Sequence, residues 1–126
     1  MSEPIFLTLD EVYRIHARSL AVHGGSEGVR DPGLVESALA SARNTFDYAN
    51  GDWFDLAASY AFHIAQAQAF LDGNKRTAVA AAMVFLALNG VYAQPSRWEL
   101  YSAMIDVAEK KKTKADLAEI FRRCAQ

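Results

Sequence analysis

The chain has 126 residues, 52% of them hydrophobic, enough apolar material for a single domain over 1–126 with one core and too much for a disordered chain. A net charge of -2 and a pI near 5.9 exclude a generally basic surface, so direct nucleic-acid binding is not expected and any anion site must be local. The lone Cys124 excludes an internal disulfide, and neither a signal peptide nor a bilayer-length apolar run is apparent, which predicts a soluble cytoplasmic protein without a membrane partner.

Helix starts recur along the chain. Thr8 with Glu11 has capping-box spacing and predicts a helix near 9–22, and Asp31 followed by Pro32 at the first helical position predicts one near 32–43. Asp52 with Asp55 opens a helix near 53–69. A long apolar segment gives 74–89, Ser96 with Glu99 gives 97–110, and Thr113 with Asp116 gives 114–124. No alternating strand pattern stands out, so the expected fold is all-α, a compact bundle of about six helices.

The 74–89 segment is apolar on every side, from Ala78 through Leu88, and is expected to be the buried central helix, ended by Gly90 as a left-handed cap. The helix before it presents Trp53, Leu56, Ala57, Tyr60, Ala61 and Ile64 at helical spacing, and four residues past Ile64 the same reading places Gln68 on the inward side. Phe70 reads as an apolar anchor pinning the following loop to the core. The stretch Asn44–Gly51 is loop-like, with Phe46 and Tyr48 either packing beneath it or forming part of a partner groove. The Gly-rich loop His23–Gly28 lacks a phosphate-loop pattern and follows no strand, and it reads equally as a flap or a plain connector.

His16, His23 and His63 show no ligand spacing, and His63 reads as a packed or hydrogen-bonded structural histidine. The basic run Lys110–Lys114 suits the end of a helix and solubility better than a contact with RNA.

The chemistry concentrates in Gln68-Ala-Phe-Leu-Asp-Gly-Asn-Lys-Arg-Thr77. Unpaired amides at a helix N-terminus attract anions, Gly73 lets backbone approach a ligand closely, and Lys75 and Arg76 add positive charge. Asp72 stands where a carboxylate holds a magnesium ion that also binds phosphate oxygens. The alternative is an ordinary helix start, with Asp72 capping and Gly73-Asn74 turning.

This segment resembles the core motif of the Fic/Doc family, His-x-Phe-x-Asp-(Gly or Ala)-Asn-(Gly or Lys)-Arg. Phe70, Asp72, Gly73, Asn74, Lys75 and Arg76 stand at the motif positions, and Thr77-Ala78 continue as in death-on-curing toxins. Arg30-Asp31-Pro32-Gly33-Leu34 and Phe85-Leu86-x-x-Asn89-Gly90-Val91 extend the likeness, which covers roughly 7–123. Gln68 departs from the pattern by standing where the family has its catalytic histidine.

The resemblance implies the toxin of a type II toxin–antitoxin pair, a kinase-type phosphotransferase. It would use ATP and magnesium, act on a translation elongation factor and be neutralised in trans by an antitoxin protein with a Phd-like segment. In that reading Gln68, Asp72, Lys75 and Arg76 are the catalytic set. Gly73, Asn74, Lys75 and Arg76 hold the nucleotide phosphates, Asp72 holds magnesium and Phe70 anchors the motif. Lys75 favours phosphate transfer over the AMP transfer of relatives with glycine there. A glutamine amide orients a hydroxyl but cannot take its proton, so impaired activity is expected. The alternatives are a catalytically silent module that binds nucleotide or antitoxin, and an adenylyl transferase.

Overall fold

The computed structural model describes residues 3–125 and contains six helices in the expected order. They are α1 (Leu9–His23), α2 (Pro32–Ala49), α3 (Trp53–Ala67), α4 (Asn74–Leu88), α5 (Arg97–Ala108) and α6 (Lys114–Arg123). Among the described residues the only strand-like pairings are two isolated bridges, Val29 with Phe70 and Ala93 with Ala125. The fold is all-α.

Local chemistry sets most of the starts. Thr8, Asp52 and Thr113 each complete a reciprocal capping box, with Glu11, Asp55 and Asp116. Asp31 caps α2 through the Gly33 amide ahead of Pro32. Ser96 accepts from the Glu99 amide, while the Glu99 carboxylate turns away to Arg123 at 2.7 Å.

Helix α2 runs on through the stretch expected to be a loop. Thr45 Oγ1 donates to the Ser41 carbonyl, Arg43 pairs with Asp47 one turn on, and Phe46 packs edge-on against Phe6 with centroids 5.9 Å apart. The helix ends only at Asn50, in the left-handed region at φ 50. Of the two aromatics there, Phe46 is drawn to the core and Tyr48 stays 85% exposed.

The buried centre is shared by two helices. Helix α3 packs on α2, α4, α5 and α6 and buries Leu56 through Ala61 without a break. Helix α4, expected to be apolar and covered all round, packs on α1, α3 and α5 but leaves Val84 and Leu88 exposed on one stripe. Apolar periodicity does not say which side of a helix lacks a neighbour. The largest wholly buried side chains are Tyr60, Phe70, Phe85 and Phe121, and Tyr60 and Phe85 meet at 5.1 Å between centroids.

Candidate functional site

Between α3 and α4 the chain reverses through residues 68–73, and three devices hold the reversal. Gln68 takes the left-handed conformation at φ 51 as the C-cap of α3, and Gly73 takes it at φ 77 before α4. Phe70 is buried between them, with the ring of His16 from α1 stacked on it at 3.8 Å between centroids and 12° between planes. The His16 Nε2 donates to the Asp72 carbonyl at 2.8 Å. Asn74 closes the loop from within, since its Oδ1 accepts from the Phe70 amide at 3.1 Å and its Nδ2 donates to the Phe70 carbonyl at 2.9 Å.

The result is a helix N-terminus with no side-chain cap. The first intrahelical bond of α4 runs from the Thr77 amide to the Gly73 carbonyl at 2.9 Å, which leaves the amides of Asn74, Lys75 and Arg76 without an intrahelical acceptor. The other five helices all start with a side-chain oxygen on one of these amides. Open amides, the helix dipole and two adjacent cations make this the anion-seeking end of α4.

Three corrections to the sequence reading follow from the geometry. Gln68 does not lie on the inward face of α3: the helix stops at Ala67, the left-handed residue swings the chain, and Gln68 is exposed at the rim. The Asn74 side chain, expected at an anion, is consumed by Phe70, so only its backbone amide remains for a ligand. Successive helical residues point about 100° apart, and Lys75 and Arg76 accordingly face different spaces instead of one point. Lys75 joins Gln68 around a cavity of about 120 Å³ floored by Met104 and Val107 of α5.

Arg76 turns the other way, its Nε donating to Ser19 Oγ at 3.3 Å and its Nη2 to the Gly24 carbonyl at 3.1 Å. It borders a cleft of about 420 Å³ between α1, α4 and α5, with Arg18, Val22, Val79, Val84 and Tyr101. Arg76, His23, Arg97 and Tyr101 surround an adjoining space of about 340 Å³. Of the two readings left open for the Gly-rich loop, flap or plain connector, the backbone favours a segment that lies against the motif. The Leu71 amide donates to the Gly28 carbonyl at 3.1 Å and the Arg30 amide to the Ala69 carbonyl at 2.6 Å, pairing the loop with the motif like a short strand.

The Asp72 carboxylate projects at the surface, Oδ1 accepting from the Gly73 amide at 2.9 Å and Oδ2 from the Ser26 amide at 3.2 Å. It is a single hard oxygen donor beside an anion-seeking helix end, compatible with a magnesium ion whose remaining ligands are phosphate oxygens and water; among the described residues no cluster of three or more ligating side chains surrounds it.

The sequence reading assigns no site role to His16, Ser19, Gly25 or Arg97, weighing His16 only as a metal ligand and Gly25 only as part of the Gly-rich loop. The first two carried a readable signal: Val12, His16 and Ser19 form the buried stripe of α1, and a polar residue on a core stripe requires a partner somewhere. The other two carried none, because loop contacts and the approach of α5 are tertiary facts.

Residues 6–86 match the Fic/DOC family. The chain is 30% identical over 115 residues to a protein named protein kinase doc from Escherichia phage P1, covering 90% of each chain. It is 43% identical over 86 residues to a protein named toxin Doc from Mycolicibacterium smegmatis, covering 66% of this chain and 65% of that one. The matched residues take in α1 to α3, all but the last two residues of α4, the motif loop and the Gly-rich loop that meets it. With more than half of the chain matched, and a relative aligned over nine-tenths of both chains, this chain belongs to the Fic/Doc family.

Proposed function

We propose that this protein is the toxin of a toxin–antitoxin pair, built as a Doc-type phosphotransferase that uses ATP and magnesium against a translation elongation factor. The observation that carries the reading is the uncapped start of α4, with its free amides flanked by Asp72, Lys75 and Arg76, in a homologue of Doc kinases and toxins. The amides of Asn74 to Arg76 and the Lys75 ammonium bind phosphate oxygens, and Arg76 sits on the α1 side to take charge there. Asp72 would hold magnesium, which supplies neutralisation of phosphate charge when bound.

Gln68 stands on the rim beside Lys75, where its amide positions a target hydroxyl and cannot accept its proton. Positioning and electrostatics remain, while general-base catalysis, worth on the order of 10²–10⁴-fold, is lost. A catalytically silent, binding-only protein is the second reading, and the same Gln68 favours it. The cleft bordered by Arg18, Arg76, Val22 and Val84 joins apolar walls to cations, which suits an acidic amphipathic antitoxin segment that folds as it docks.

The test is Gln68→His. Histidine tolerates the left-handed backbone at this position, so the substitution restores a base without refolding the loop. The expected result is ATP-dependent labelling of an elongation factor in a translation extract, together with growth arrest, both abolished by adding Asp72→Ala. No labelling by Gln68→His, with nucleotide still bound, would overturn the phosphotransferase and leave the binding-only protein.

A further inference from the structure

The two motif side chains of opposite charge are held by a single tripeptide. Arg76 Nη2 donates to the Gly24 carbonyl at 3.1 Å, and two residues later the Ser26 amide donates to Asp72 Oδ2 at 3.2 Å. A carbonyl oxygen lies on the guanidinium where a phosphate oxygen would lie, and an amide hydrogen lies on the carboxylate where a cation would lie. The backbone therefore meets each side chain with the sign of charge that a phosphate oxygen or a cation would bring.

Gly25 makes this approach possible. Its φ of 125° is one that side-chain-bearing residues rarely adopt, and a Cβ there would stand 2.7 Å from Asp72 Oδ2 and 2.9 Å from Leu20 Cδ2. The neighbouring Gly24 is also at positive φ, with open space around it. The Gly24 amide is held by the Leu20 carbonyl at 2.7 Å, and from Gly28 on the loop is tied to the motif backbone through Leu71 and Arg30, which leaves 25–27 as the stretch without a backbone–backbone hydrogen bond.

We infer that Gly24–Ser26 is a displaceable backbone latch, which satisfies Arg76 and Asp72 and gives way to a magnesium-bound phosphate chain. It rests on the phosphate-site reading above. Both latch bonds lie at the exposed surface, where solvent weakens them, so the closed loop competes with a ligand only modestly and yields to one that replaces both contacts at once. Arg76 keeps a separate hold on α1 through Ser19 Oγ, and its guanidinium stays in place when the loop leaves.

Amide hydrogen exchange on the full chain, with and without magnesium–ATP, tests the latch, together with calorimetric titration of the same ligand into wild type and Gly25→Ala. The Ser26 amide is expected to exchange about tenfold faster when magnesium–ATP binds. Gly25→Ala, which strains the closed loop through its positive φ and crowds Asp72, is expected to bind it about three- to tenfold more tightly. Binding that leaves Ser26 exchange unchanged or slower overturns the latch and spares the phosphate site, as does an equal or weaker affinity of folded Gly25→Ala. If Gly25→Ala does not fold, exchange in the wild type decides alone. Absence of binding to the wild type overturns the phosphate site and the latch with it.

Discussion

His16 lies flat against Phe70, with ring centroids 3.8 Å apart, although 54 residues separate them in the chain. The contact makes α1 a structural part of the motif, because the same imidazole donates to the Asp72 carbonyl and so fixes where the Asp72 carboxylate begins. His16 is only 6% exposed. His16→Ala removes a packed ring and a buried hydrogen bond together, and is expected to cost about 2–4 kcal/mol in urea unfolding. His16→Phe, which keeps the stack and orphans the carbonyl, is expected to recover part of that loss.

Asn74 acts as a clasp on the motif loop rather than a ligand group. Replacing it with alanine strips the partners from both the Phe70 amide and the Phe70 carbonyl. The expected cost is about 1–3 kcal/mol. Asn74→Asp keeps the acceptor for the amide and loses the donor to the carbonyl, so its midpoint in urea should fall between those of wild type and Asn74→Ala.

Where the determinants were local, the sequence disclosed them. The caps of Thr8, Asp31, Asp52, Ser96 and Thr113 require only residues two or three places on, and all five helices begin where those residues predict. The motif loop was legible as an anion-seeking helix start for the same reason. Its detail was not. Gln68 was extrapolated along a helix that the left-handed backbone terminates, and Asn74 was assigned to a ligand because no local rule says its amide fits its own loop. The last two turns of α2 were missed because polar residues and asparagines there look like a loop until Phe46 meets Phe6. Propensity yields to such contacts.

Asp52 carries two loads, and their loss is expected to show in one substitution. Its Oδ1 accepts from the Phe54 and Asp55 amides at 3.0 and 2.9 Å, and Arg122 of α6 reaches its Oδ2 at 2.9 Å. Burial alone would raise this carboxyl, but the Asp55 amide and the Arg122 guanidinium outweigh burial and hold it below the ordinary range. Asp52→Ala is expected to cost about 2 kcal/mol, roughly half from the cap and half from a partly exposed ion pair. Arg122→Ala spares the cap and removes the ion pair together with the partly exposed contacts to Asp55, Glu119 and the Phe54 ring, and should cost about 1 kcal/mol or less, and less still in high salt. Equal costs for the two substitutions in urea unfolding would contradict this division.

The α3–α6 contact should respond to pH through His63. Lys114 Nζ donates to His63 Nε2 at 3.1 Å, which requires a neutral imidazole with its lone pair on that nitrogen. Burial, reinforced by the Lys114 charge, lowers the His63 pKa below its ordinary value. The unfolded chain therefore takes up the proton first as pH falls. Stability contributed by the neutral imidazole is fully present above the unfolded value of about 6.5, is lost progressively below it, and stops falling beneath the depressed folded value. The carboxyls of Asp52 and Asp116 are held low and stay ionised through this window, so they add no slope there. The melting temperature should decline between about pH 7.5 and 5 in the wild type. His63→Gln offers Lys114 an acceptor that does not titrate, and should melt with a flatter dependence over the same range. An equal decline in both proteins would place the pH response on other groups.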